Sequence, residues 1–370
     1  MHFQVQTSDI NQGMGMVVRA LSSRAPRPCL EGVFIETVDE GIQLTCSDGQ
    51  MTIRSIVPAT VKEDGCALMP AKLLHELLRR LDGEIDIRSD ASTLKAVITA
   101  NGSNTDMVCM DAVDFPDVNE VRGGFNVKMP QDKFASAVSR IIFALSADET
   151  RRILTGCYME VYREEVLFVC LDGFRLAMQK VYATHELPAD KETVSAIIPG
   201  NIISEIARMA GDTKDEMDIA FTQTHLCATI GNTKVYTPLI PGEYINYRQI
   251  LPVSWTTSVK LDRTQLIGAI ERAALMAREG NNLLKLHIDD RQLTIMANTE
   301  RGNAVEKVEV YFDGAPLDIA FNAKYLLDVV RNIDTSEITM RFNTNVSPCV
   351  ICPVKGNQYT YLVLPVRTIG

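Results

Sequence analysis

No stretch of this sequence approaches the roughly 18 consecutive apolar residues that a membrane-spanning helix needs, so no membrane association is expected. The opening Met1-His2-Phe3-Gln4 lacks the cationic start and apolar run of a secretory signal. Nine cysteines, an odd number scattered along the chain, do not read as a disulfide framework and point to a reducing cytoplasm. Catalytic patterns are missing too. There is no GxxxxGK[ST] loop to cradle a nucleotide phosphate. The histidines are few (His2, His75, His185, His225 and His287), and none pairs with an evident nucleophile. His75-Glu76 continues as Leu77-Leu78-Arg79, where a zinc-protease helix needs a second histidine, so His75 reads as a helix flank. Cys349-Val350-Ile351-Cys352 has chelating spacing, but on a strand-like run positions i and i+3 face opposite ways. Asp289-Asp290 reads as a turn, and the single Trp255 suggests no role. No catalytic residue, metal or cofactor is expected.

What the chain does have is 46% apolar and 23% charged residues, the balance of a globular protein with true cores. Its 370 residues suit two or three domains. Formal charge is −10, from 37 Lys and Arg against 47 Asp and Glu. That argues against a surface coated with cations for nucleic acid, but not against one lined by them. A steering field depends on where the cations sit.

The sequence repeats one plan three times, at a period of roughly 125 residues. Each copy opens with a short strand and an amphipathic helix. In the first, Ser8 is the expected N-cap and Ile10, Met14, Val17, Val18 and Leu21 form the apolar stripe. Phe134, Val138, Ile141, Ile142 and Leu145 repeat those offsets after Pro130, and Leu266, Ile270, Ala273 and Ala274 match the first four. Hairpins follow at 44–53, 168–177 and 294–303, with Asp48-Gly49 and Asp172-Gly173 as turn dipeptides. Second helices are expected at 71–81, 200–210 and 323–333, then strands at 84–90, 216–222 and 337–343. The expected fold class is α+β, with two helices packed on antiparallel sheet in each of three domains, 1–124, 125–255 and 256–370.

On the second helices Leu74, Ile203 and Leu326 are equivalent, and Arg79, Arg208 and Arg331 each stand five residues later. At about 100° per residue, that offset lies some 140° around the helix, opposite the apolar stripe. Arg19, Arg140 and Arg272 likewise point away from the stripes of the first helices. Lys72, Arg80 and Lys133 add to these faces, and Arg24 and Arg27 follow the first helix. Any one arginine is accounted for by helix-dipole and solubility effects. The set suggests a shared basic surface that meets phosphates without reading bases.

The threefold plan together with DFPD (114–117), LDGFRLA (171–177), NYRQILP (246–252) and the terminal YLVLPVR (361–367) resembles the bacterial DNA sliding clamps, the beta subunits of DNA polymerase III, over essentially the whole chain. The resemblance implies a head-to-tail homodimeric ring of six domains, with twelve helices around a central hole for double-stranded DNA. The basic residues Arg24, Arg27, Lys72, Arg79, Arg80, Arg140, Arg208, Arg272 and Arg331 would face that hole. It also implies a hydrophobic pocket where the replicative polymerase and clamp loader subunits dock short linear peptides. By matching position, Arg151, Leu154, Leu171, Gly173, Phe174, Arg175 and Leu176 would contribute to it. Ile245, Gln249 and Ile250 would come from the loop before the last domain. Val346, Pro348, Val363, Leu364, Pro365, Val366 and Arg367 would come from the C-terminal part. Such a pocket suits aliphatic or aromatic anchors with a polar flank. Phe174, Leu171 and Gln249 depart from the histidine, threonine and arginine common in the family, which makes the pocket more apolar. Met107, Val108, Leu275 and Met276 are the expected protomer contacts. Two other classes stay open: a three-domain interaction scaffold that does not encircle DNA, and an enzyme with a composite site.

Overall fold

The computed structural model describes residues 1–22, 27–113, 115–117, 120–121, 123–184 and 192–367. The first third of the chain runs β1 (His2–Gln6), α1 (Thr7–Val17), β2 (Gly32–Val38), β3 (Gly41–Ser47), β4 (Thr52–Val57) and β5 (Thr60–Glu63). It goes on with β6 (Cys66–Pro70), α2 (Ala71–Leu78), β7 (Glu84–Asp90), β8 (Lys95–Ala100) and β9 (Ser103–Val108). The same order returns as β10 (Phe125–Pro130), α3 (Gln131–Ser139), β11 (Gly156–Val161), β12 (Glu165–Leu171) and β13 (Arg175–Tyr182). That copy ends with β14 (Val194–Pro199), α4 (Gly200–Ala210), β15 (Glu216–Phe221), β16 (His225–Ile230) and β17 (Thr233–Pro238). The third is β18 (Thr257–Asp262), α5 (Arg263–Ala277), β19 (Leu283–Asp289), β20 (Gln292–Thr299), β21 (Gly302–Glu309) and β22 (Tyr311–Gly314). It closes with β23 (Leu317–Asn322), α6 (Ala323–Arg331), β24 (Glu337–Phe342), β25 (Cys349–Pro353) and β26 (Tyr359–Val363).

Two compact units result, and they do not follow the repeats. One combines Met1–Asp132 with Glu205–Leu239, the other Lys133–Ser204 with the chain from Ile240 onward. The first holds a five-stranded sheet, β5-β1-β7-β8-β9, and an eight-stranded sheet, β10-β15-β16-β17-β4-β3-β2-β6. The second holds a nine-stranded sheet, β14-β11-β12-β13-β26-β25-β24-β18-β22, and a four-stranded sheet, β21-β20-β19-β23. The eight- and nine-stranded sheets each join strands of two successive copies, through β17 beside β4 and β26 beside β13. Backbone hydrogen bonds thus cross from copy to copy.

The helical stripes bury as their spacing requires. Ile10, Met14 and Val17 are sealed, as are Phe134, Val138, Ile141, Leu266, Ile270, Ala273 and Ala274. Gly13 lets α1 lie tight on its sheet, because a Cβ there would collide with Val57 and approach Leu44. The helix ends differ from expectation. Ser8 is not a cap; the helix begins at Thr7 after Gln6, and the Ser8 hydroxyl donates to Asp9 instead. Val18 and Ile142 fall in short 3-10 turns, Val18–Ala20 and Ile142–Ala144, and with Leu21 and Leu145 are only half-buried. The hairpin turns are capped by Asp48 and Asp172, whose side chains accept from the backbone N–H groups two and three residues on. In the third copy, where no aspartate stands, Thr299 accepts from the Arg301 N–H. Of Asp289-Asp290, Asp289 ends β19 and Asp290 begins the turn. Trp255, half-exposed, lies under the Arg341 guanidinium at 4.0 Å.

Candidate functional site

Cations stand on the exposed helix faces, but the structure gives many of them acidic partners. In the first unit Arg208 and Arg19 both grip the Glu205 carboxylate at 2.6 Å. Burial works to raise this carboxyl, yet the two guanidinium groups outweigh it and hold Glu205 below the usual carboxylate range. Lys72, Arg79 and Arg80, on or just past α2, are exposed and have no ion pair among the described residues. In the second unit Arg140 meets Asp334 at 2.7 Å, Arg272 meets Glu306 at 2.6 Å and Arg331 meets Glu271 at 2.6 Å. Arg27 and Lys133 are exposed, while Arg24 lies outside the described residues. None of these acids was singled out from the sequence, although Glu205 stands three residues before Arg208 on α4. The partners of Arg140, Arg272 and Arg331 come from other elements.

The expected peptide-site residues lie in the second unit, and the structure sorts them into two groups. Leu154, Leu171 and Leu176 join Leu167, Val169, Met178, Tyr247 and Leu362 in one apolar cluster, with Leu364 packed against it. Val346, Val366 and Arg367 line a cleft of about 450 Å³ with Lys285, Met296, Asp318 and Ala320, which the sequence did not flag. The C-terminal segment runs between the groups. The Leu364 N–H donates to the Phe174 carbonyl and the Val366 N–H to that of Ala320, both at 2.8 Å. Phe174, 51% exposed, stacks on Tyr325 at 5.4 Å, and Gly173 takes φ +92° in the turn beside it. Ile245, Gln249 and Ile250 are exposed on their loop, while Pro348 and Pro365 are half-buried.

Some expectations are corrected. Val363 is fully buried in β26, paired with Arg175 on one side and Cys349 on the other, rather than standing on an open wall. Arg175 is not a free rim cation. It is 9% exposed, bound to Asp172 and Asp328 at 3.0 and 2.5 Å and to the Phe143 carbonyl, and it lies over the Phe143 and Tyr325 rings. Arg151 is exposed but paired with Asp148 at 3.1 Å. The rim is therefore less cationic than the sequence suggested. Met107 points into its own core at 5% exposure and offers a partner nothing, whereas Val108 and Leu275 are 71% and 57% exposed and Met276 is half-buried.

Profiles of the DNA polymerase III beta subunit match the chain three times in succession: the N-terminal domain at residues 1–119, the central domain at 128–246 and the C-terminal domain at 248–367. The chain belongs to that family. The beta sliding clamp of Bacillus subtilis (strain 168) is 29% identical over the full length of both chains. That of Synechococcus elongatus is 29% identical over 97% of each. Among solved structures, the Bacillus subtilis DNA polymerase sliding clamp superposes with a TM-score of 0.93 at 27% identity, covering both chains fully. The Pseudomonas aeruginosa sliding clamp bound to griselimycin gives 0.91 at 28%, again with full coverage.

Proposed function

We propose that two copies of this chain close head to tail into a ring around double-stranded DNA, and that the pocket described above tethers the polymerase and clamp loader subunits by short peptides. The chain is a DNA polymerase processivity factor of the sliding clamp class, a class that holds DNA rather than transforming it. We read this member as non-enzymatic and cytoplasmic. No helix among the described residues is long and apolar enough to cross a membrane, and all nine cysteines are free. We place three domains at 1–124, 125–255 and 256–370; the family profiles match 1–119, 128–246 and 248–367, with the second division about eight residues earlier. A scaffold that does not encircle DNA is not favoured.

The carrying observation is an imbalance in the sheets. In each copy the strands form two sets, and wherever two sets of successive copies meet, the last strand of the later copy lies beside the strand after the earlier copy's hairpin: β17 on β4, β26 on β13. Continuing that rule leaves two sets without a neighbour. Of the two edge strands in each of those sheets, the ones at the positions that the rule pairs are β9, the counterpart of β17, and β21, the counterpart of β4 and β13. An edge of each kind on one chain is what a closed two-protomer assembly needs. Around these edges Val108, Leu275 and Val305 leave large apolar side chains exposed.

The repeat also supplies a register. Ser103 follows its hairpin turn as Thr233 does, and Val308 buries as Val57 does. Carrying the Thr233–Ser55 and Lys234–Arg54 pairs across gives Ser103 opposite Glu306 and Asn104 opposite Val305 of the second copy. Sedimentation tests closure. A dimer at micromolar concentration is expected, and Val108→Asp or Leu275→Asp should give folded monomers; a monomeric parent would overturn the ring.

A further inference from the structure

The loop that presents Ile245, Gln249 and Ile250 makes no backbone hydrogen bond to the neighbouring sheet among the described residues. Its amides close on the loop itself: Tyr247 on Ile245 at 2.7 Å, Gln249 on Asn246 at 3.2 Å, Ile250 on Tyr247 at 3.0 Å. Side chains must therefore hold it in place. On β11 and just beyond, Tyr158, Glu160 and Tyr162 alternate along the face that the apolar cluster occupies. The Tyr244 ring stacks on Tyr158 with centroids 4.8 Å apart and planes within 3°. Glu160, 5% exposed, accepts from the Tyr247 hydroxyl at 2.7 Å and from Arg248 at 2.5 Å. Arg248 also bonds the Tyr162 hydroxyl and lies over the Tyr247 ring at 4.8 Å. Burial, reinforced by the adjacent Glu160, pushes the Tyr247 hydroxyl far above its ordinary pKa, so it stays a donor.

We propose that Glu160 is the positioning residue of the peptide pocket: one buried carboxylate that fixes the 244–251 loop, so that the wall stands before a peptide arrives. The inference rests on the pocket reading and adds to it a residue that touches no ligand. A buried carboxylate left without its cation is strongly destabilising, so the pair is kept closed and the loop with it. A wall ordered in advance spares the peptide the entropy of ordering it.

The test is calorimetry with a synthetic peptide carrying leucine and phenylalanine anchors behind a polar flank, joined to hydrogen exchange on the unliganded dimer. Glu160→Gln keeps the side chain's size and an acceptor for Tyr247 but loses the charge that holds Arg248. It should weaken the peptide by about tenfold. Arg248→Met should weaken it similarly, and the double variant should be little worse than either single one, because both act through one contact. Exchange should quicken at 245–250 and stay unchanged in β12 and β13. Parent-like affinity in Glu160→Gln, additive losses, or protection lost across the whole sheet would overturn the assignment. A parent that binds no peptide would sink the pocket reading instead, and loop exchange unchanged by Glu160→Gln would then still overturn the positioning role.

Discussion

Leu364 and Val366 are ordinary apolar residues whose meaning comes from two backbone hydrogen bonds. Those bonds run the C-terminal segment from Phe174 to Ala320 and so join the apolar cluster to the cleft lined by Val346 and Arg367. Deleting Leu364–Gly370 leaves β26 whole, since that strand ends at Val363. Calorimetry should find peptide binding abolished, a loss of ~2 kcal/mol or more, while sedimentation still finds the dimer; undiminished affinity would mean that partners dock elsewhere. Phe174 and Gln249 present an aromatic face and an uncharged amide, so of two matched peptides the one with an apolar end should bind better than the one with an acidic end. Resemblance led to most of this pocket. It did not lead to Glu160, although Tyr-x-Glu-x-Tyr along a strand and its end, with a carboxylate where an apolar residue belongs, was a visible signal. The burial of Val363 and Arg175 was not legible, because it depends on strands distant in sequence. Glu205 illustrates the same limit and has a pH signature. Its lowered pKa means that its ion pairs stabilise the fold at neutral pH and lose that contribution as pH falls through the folded value. Melting curves of the parent and Glu205→Gln should therefore differ at neutral pH and converge in acid.

At the level of elements, the 3.6-residue period made the helices readable, and the twofold period made the strands readable. Helix ends were less so, since the 3-10 turns after α1 and α3 keep an apolar spacing that resembles a continuing helix. The arginine faces follow from helix geometry, but the acids that engage Arg140, Arg272 and Arg331 lie between 34 and 194 residues away in sequence. On the proposed reading of these faces as the DNA-facing surface, those acids temper the phosphate affinity of the helices, which suits a surface that must slide. Replacing Arg79, Arg208 and Arg331 together by Glu should weaken DNA retention and flatten its salt dependence by roughly 0.9 log units per log salt for each phosphate left unneutralised. Glu205→Gln with Glu271→Gln should do the reverse, since Arg19, Arg208 and Arg331 are released. Retention measured against salt on a closed circle checks both, and equal curves for all three proteins would refute the assignment of these helices to the DNA.

For the molecule as a whole, three copies of one plan were plain in the sequence, but the way the sheets run from copy to copy was not. Strand pairing such as Thr233 with Ser55 joins residues that no local pattern relates. On the proposed ring, that continuity makes β9 and β21 the edges that pair between protomers. The most direct measurement is therefore a covalent one: Asn104→Cys with Val305→Cys in a Cys66→Ser background, oxidised after assembly on circular or linear DNA. The exposed Cys66 is removed so that the new thiols react with each other. Closure in the stated register predicts a cross-linked dimer that stays on circular DNA through denaturing salt and slips off linear DNA. A protein that cross-links only when the cysteines are moved along one strand, or a cross-linked dimer that leaves the circle as fast as the linear DNA, would contradict it.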